Sequence, residues 1–132
     1  SYSAAEQAGV LFLITSYSCD MTTDDSPQDA ATRGAQYATP ELAVVLTEPR
    51  ETRTDASWTE LVERGGRYQV AAQLQITGTE TDTDSRVVRA YLVTQTPVAD
   101  GWVGQARSWI MILTLVADRQ NDWLVQEVTT TP

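Results

Sequence analysis

The 132 residues contain no histidine and no lysine, a single cysteine and a single phenylalanine. Without histidine, the commonest general base at neutral pH and the usual Cys/His zinc sites are excluded. A lone Cys19 cannot close an internal disulfide. The apolar run Val10–Ile14 is as long as any in the chain and far short of the ~20 residues that cross a bilayer, so no helix of this sequence is expected to span a membrane. Positive charge is scarce as well. Nine arginines stand against 18 acidic side chains, a net charge of −9, which argues against nucleic acid or an anionic lipid surface as a partner, since both need a basic patch. The imbalance is lopsided: residues 1–63 hold eleven acids and three arginines (−8), and residues 64–132 hold seven acids and six arginines (−1).

What is present suits one soluble domain over residues 1–132, with 42% apolar residues and length enough for a core without disulfides or metal. Exclusive use of arginine among the basic residues, with abundant Ala, Val and Thr, points to a GC-rich bacterial genome. The chain begins at Ser1 rather than Met and carries no signal-peptide pattern, as expected of a mature domain or one trimmed of an upstream segment.

Residues 3–19 lack proline, and Val10, Leu13, Ile14 and Tyr17 fall at the spacing of one helical face, widened by Ala5, Ala8, Phe12 and Cys19. A helix apolar over so much of its girth must be covered on several sides. Ser26-Pro27-Gln28-Asp29 sets a capping serine before a first-turn proline and predicts a second helix from about Pro27 to Tyr37. Thr39-Pro40-Glu41-Leu42 repeats the device for a third helix, stopped by Pro49. Residues 50–57 read as a solvated connection. Trp58–Val62 fits a helical turn or an edge strand, ended by Gly65-Gly66, which lacks the lysine and following helix of a phosphate-binding loop.

From Tyr68 the period changes to two: Tyr68, Val70, Ala72, Leu74 and Ile76 alternate with mostly polar or small neighbours. Residues 77–84 form the predicted turn, Arg86–Thr96 a second strand closed by Pro97, Gln105–Ala117 a third and Trp123–Thr130 a fourth. The third, at 13 residues, would run roughly 40 Å and calls for a bulge or strong coiling. The fold class is therefore α+β, with N-terminal helices over about 3–48 packed on a curved four-stranded antiparallel meander over about 68–130.

No catalytic motif of high specificity occurs. Asp20, Asp24, Asp25 and Asp29 lack the ligand order of a calcium loop, and Glu80, Asp82 and Asp84 read as an exposed acidic turn. No Gly-x-Ser-x-Gly elbow is present, Cys19 reads as a small buried hydrophobe, and Trp58, Trp102, Trp109 and Trp123 serve core or interface. The residues singled out as a partner or pocket surface are Arg89 and Tyr91 on one strand, and Arg107 and Trp109 on the next long one, with Glu127 in the last. The alternative for these side chains is cross-strand pairing on an outer face. Neither metal nor cofactor is implied.

The order of helices followed by a meander resembles the cystatin-like or nuclear-transport-factor-like (NTF2-like) cone. Five stretches, Tyr17–Ala30, Tyr37–Leu42, Ser57–Thr59, Arg89–Pro97 and Asp100–Trp102, resemble small secreted or membrane-anchored actinobacterial proteins found with conjugative elements. Such proteins are similar to the TcpC family and to the eighth VirB-type subunit of type IV secretion systems. That resemblance implies a non-enzymatic assembly subunit at the extracytoplasmic face of the cell membrane, held by a transmembrane segment upstream of this chain. Its partners would be other channel subunits and copies of itself. The alternatives are a small-molecule binder or enzyme of the isomerase, dehydratase or cyclase kind, which requires a deep cavity between the first helix and the sheet, or an envelope accessory protein.

Overall fold

A computed structural model describes residues 2–51, 54–75 and 81–131. Four α-helices come first, α1 (Ala4–Tyr17), α2 (Pro27–Gly34), α3 (Pro40–Thr47) and α4 (Ala56–Arg64), with a 3-10 turn at Ala35–Tyr37. Five strands follow, β1 (Arg67–Leu74), β2 (Arg86–Ala99), β3 (Trp102–Val103), β4 (Arg107–Ala117) and β5 (Trp123–Thr130).

Each helix starts where its capping chemistry places it. Ser3 and Glu6 form a reciprocal capping box on α1, the Ser26 hydroxyl accepts from the Gln28 amide with Pro27 in the first turn, and the Thr39 hydroxyl accepts from the Leu42 amide with Pro40 behind it. The Asp55 carboxylate accepts from the Trp58 amide, which makes the Trp58 segment the start of a nine-residue helix, α4, closed at Gly65. The second helix is shorter than its pattern, because its last turn tightens into the 3-10 turn after Gly34.

The sheet runs β1-β2-β4-β5, every neighbouring pair antiparallel, with β3 pairing β2. It has five strands among the described residues, not four. The extra one, Trp102–Val103, is too short for a period-two pattern and exists by pairing with Val98 and Ala99. That pairing also carries β2 past Pro97. The Pro97 carbonyl accepts from the Gly104 amide at 2.8 Å, so its nitrogen faces the same edge, beyond the end of the β2–β4 ladder at Gln95 and Arg107, where no donor is required. The irregularity called for by the long third strand falls between Thr114 and Leu115, which pair with Glu127 and Val125 and leave Gln126 as the extra residue. The predicted first-strand residue Ile76 and the turn residues 77–80 lie outside the described residues, as do Thr52 and Arg53 of the solvated connection.

Helix α1 lies on the sheet and touches β1, β2, β4 and β5, while α2 and the 3-10 turn cover another of its sides. The core between them is built from Phe12, Leu13, Tyr91, Val93, Met111, Leu113, Leu115 and Val125. A smaller apolar cluster, Cys19, Ala30, Trp58, Leu61 and Tyr68, sits under α4.

Candidate interaction groove

The four residues singled out from the sequence all face the helical layer, but the register does not gather them. Arg107 pairs with Gln95, six residues along β2 from Arg89, so the two arginines stand roughly 20 Å apart along the strands. They tie down opposite ends of α1.

At the N-terminal end, Arg89 is 6% exposed and bridges two carboxylates. Its Nε donates to Glu6 at 2.8 Å, and its two Nη atoms donate to Asp82 at 2.8 and 2.6 Å. The hydrogen bond from Arg89 holds the Glu6 carboxyl below the usual range, helped by the Ser3 amide, and Arg89 does the same to Asp82. Asp82 of the acidic turn thus serves an ion triad. Beside it the Tyr91 ring is fully buried, its hydroxyl donating to the Glu6 backbone carbonyl at 3.0 Å, and burial raises its pKa far above that of a free phenol.

At the C-terminal end, the Gln95 amide donates to the orphan carbonyl of Tyr17 at 2.8 Å, and Arg107 Nε donates to Gln95 Oε1 at 2.9 Å. Trp109 meets the Tyr17 ring edge-on at 5.3 Å between centroids. Arg33 Nη2 reaches the Ser18 carbonyl at 2.9 Å while both its Nη atoms hold Asp24. Two arginines therefore sit where the helix dipole favours cations.

An open groove lies at this second end. Its volume is about 610 Å³, and it lies between the last turn of α1, the first turns of α2 and α4, α3, the start of β4 and residues of β2 and β5. Its apolar lining includes Phe12, Tyr17, Leu42, Val45, Leu46 and Trp58. Polar groups edge it: Arg50, Asp55, Gln95, Arg107 and Glu127. Arg107 stands 3.9 Å from Asp55, but both side chains are more than half exposed, so the pair is worth little and leaves the guanidinium available. Arg50 is held by Gln28 and the Val45 carbonyl. Cys19 also lines the groove, and burial, with Asp24 nearby, pushes its thiol up to about 11, so it is protonated and unreactive at neutral pH.

Sequence reasoning found two polar edge residues of this groove, Arg107 and Glu127, and missed its apolar wall. The signal was present in α3, where Val44 and Val45 are 68% and 53% exposed while Leu42 and Leu46 turn toward the core. An exposed aliphatic pair beside buried ones marks a helix apolar on more than its inward face. The Asp20–Asp29 acids are occupied locally: Asp24 accepts from the Asp20 amide, Asp29 from the Asp25 amide and Asp20 from Thr22. Among the described residues no group of three ligating side chains has the arrangement of a metal site.

An open antiparallel sheet clasping one long N-terminal helix, with further helices closing one end, is the NTF2-like α+β fold of VirB8-type proteins. The solved structures it resembles extend over nearly the whole chain. TraE protein in complex with 2-(2-furyl)isonicotinic acid matches at TM-score 0.61 and 15% identity, covering 100% of this chain and 98% of that one. The VirB8 protein of Agrobacterium tumefaciens matches at TM-score 0.51 and 14% identity, covering 99% and 94%. An NTF2-like protein involved in plasmid conjugation matches at TM-score 0.53 and 12% identity, covering 96% of this chain and 47% of that one. No family model matches the sequence, and no curated protein matches it significantly.

Proposed function

We propose that this chain is a non-enzymatic assembly domain of a conjugative or type IV secretion apparatus, displayed on the extracytoplasmic face of the membrane of an actinobacterium by a segment upstream of Ser1. Its partners are other channel subunits and copies of itself. The observation that carries the reading is the whole-length likeness in fold to TraE and VirB8, proteins whose fold this chain shares at a sequence identity of 14–15%. The packed interior supports it. The space between α1 and the sheet, where the enzymatic alternative requires a cavity, is filled by Phe12, Leu13, Val93, Met111, Leu113 and Leu115, and the inward phenol of Tyr91 is fully buried. The groove, with its apolar wall and exposed Val45, is the surface on which another subunit docks.

The test is genetic and biochemical together. Deleting the gene is expected to abolish transfer of the element, and a copy carrying Val45→Glu with Arg107→Glu is expected to restore it poorly, at least tenfold below wild type. Normal transfer in the deletion strain overturns the reading. A second reading is favoured by the arginines at the groove edge: the groove takes a small aromatic acid, the class of compound with which TraE was solved in complex. Titration with 2-(2-furyl)isonicotinic acid followed by NMR checks it, with shifts confined to groove residues expected and no saturable shift refuting it.

A further inference from the structure

The two edges of the sheet are treated differently. On β5 the Val125 carbonyl accepts from the Thr39 amide at 2.8 Å, Ala38 bridges to Val125, and the bulge at Gln126 and the charge of Glu127 follow directly. That edge is blocked at its middle. On β1 only the ends are covered. The Tyr68 amide donates to the Cys19 carbonyl at 2.8 Å, with Asp20 bridged to Arg67, and the Leu74 amide donates to the Tyr2 hydroxyl at 3.0 Å. Successive strand residues turn their amides to opposite sides, so Val70 and Ala72 also face outward, while Gln69, Ala71 and Gln73 serve the ladder to β2. Among the described residues the amides and carbonyls of Val70 and Ala72 have no hydrogen-bond partner. Nothing guards this stretch: residues 69–73 hold no charge, no proline and no bulge.

We propose that this gap on β1 is a docking site for a short extended segment of a different protein chain, which joins the sheet beside β1. The unpaired groups define the occupant. Alternating donors and acceptors are matched by an extended backbone, and an antiparallel segment exchanges two hydrogen bonds with Val70 and two with Ala72. The covered ends limit its length: residues 69–73 run about 17 Å, room for about five residues. A second copy of this chain does not fit. Its own β1 is eight residues long, and centred on Ala71 it would set Gln75 against Arg67, where Asp20 already sits. The occupant is therefore a flexible stretch, a tail or a loop, rather than the edge of another folded sheet.

Strand geometry also sets the side chains of the segment. Residues opposite Val70 and Ala72 share their face, the half-buried side against which α1 lies, and the residue between them joins the exposed face of Gln69 and Gln73. The segment accordingly reads apolar, polar, apolar. Tyr2, 38% exposed and bonded to the Leu74 amide, offers a further apolar contact at that end of the gap. Four hydrogen bonds over so short a contact make the binding weak, and the same segment gains strength when it belongs to a protein held nearby. Neither Val70 nor Ala72 lines the groove, so this site is tested apart from the groove and its transfer phenotype.

The probe is the blocked peptide acetyl-Gly-Val-Thr-Val-Gly-amide, titrated into the purified chain to about 10 mM and followed by NMR. Saturable shifts of the Val70 and Ala72 amides are expected, with a Kd in the millimolar range and the groove residues unmoved. N-methylation of both valine nitrogens of the peptide, which face β1, is expected to weaken binding at least tenfold. N-methylation of the threonine nitrogen, which faces away, is expected to leave it nearly unchanged. Ala72→Pro removes an outward donor that the ladder to β2 does not use, so a native circular dichroism spectrum and melt are expected with binding at least tenfold weaker. Val70→Pro is the second variant, should the first fail to fold. The proposal is overturned by the absence of a saturable shift at Val70 and Ala72, or by the two methylated peptides behaving alike. It is overturned too by a dimer in sedimentation equilibrium that Ala72→Pro abolishes, which would give the edge to a second copy.

Discussion

Arg89 illustrates how much of this fold depends on one ionised side chain held nearly out of water. It joins α1 to the segment before β2 through Glu6 and Asp82, residues 83 and seven positions away. Replacing it with Met keeps the stem but strands two carboxylates, and we expect a loss of about 2 kcal/mol in urea denaturation. The pH dependence has a definite sign. Both carboxyls have folded pKa values below their unfolded ones, so their contribution is complete above about pH 5 and disappears as pH falls through the folded values. The drop in denaturation midpoint from pH 5 to 2.5 should therefore be shallower in Arg89→Met than in wild type. Ser16 is the opposite case. Its hydroxyl is buried without a hydrogen-bond partner among the described residues, facing Gly34 of α2. Ser16→Ala should be neutral or stabilising by up to ~1 kcal/mol, since no hydrogen bond is lost and a desolvated hydroxyl is removed. A destabilised Ser16→Ala protein would mean that the hydroxyl has a partner after all.

The helices are positioned as much by absent side chains as by present ones. A methyl group on Gly9 would meet the buried Tyr91 ring, with Cζ at 2.6 Å and Cε1 at 3.0 Å, so the helix backbone rests directly on the sheet's central aromatic. Gly9→Ala improves helix propensity by nearly 1 kcal/mol, yet it must lift α1 or displace Tyr91 from its bond to the Glu6 carbonyl. We expect a net loss of about 2 kcal/mol in thermal or chemical unfolding, the cost of overpacking outweighing the propensity gain. Gly34 plays the same part where α2 crosses α1 at Ser16. Helix α4, like Ala30 of α2, is anchored in the smaller cluster, through Trp58 and Leu61, rather than in the main core.

At the scale of the molecule, two apolar clusters of unequal size imply unequal local stability. The main core links α1 with all four long strands, whereas the smaller one holds α4, the Cys19 turn and the start of β1. Amide hydrogen exchange should release α4 well before α1, β2 and β4, and Leu61→Ala should speed α4 exchange while leaving the β2–β4 ladder protected. Uniform exchange across both regions would show that the clusters open together. Most of the net negative charge, −8 of −9, belongs to residues 1–63, which form the helical layer. The groove's own edge carries both signs, Arg50 and Arg107 beside Asp55 and Glu127, so docking there should rest on an apolar anchor and change little as salt rises.

How much of this was legible in the residues follows from the range of the interactions. The starts of α2 and α3 were readable because Ser26 and Thr39 cap amides two or three residues away, and the change to a two-residue period at Tyr68 marked the sheet because alternation is a property of one strand. Asp55 carried the same local signal for α4, though the short apolar pattern around Trp58 did not separate helix from strand. The fifth strand was not readable, since two residues carry no period and pair only because β2 continues past Pro97. Strand faces placed Arg89 with Tyr91 and Arg107 with Trp109. Only the antiparallel register, set by contacts dozens of residues apart, sent the pairs to opposite ends of α1. The groove is likewise a product of packing, because its walls come from helices and strand ends distant in sequence, whose separation depends on how closely Gly9 and Gly34 let α1 approach its neighbours.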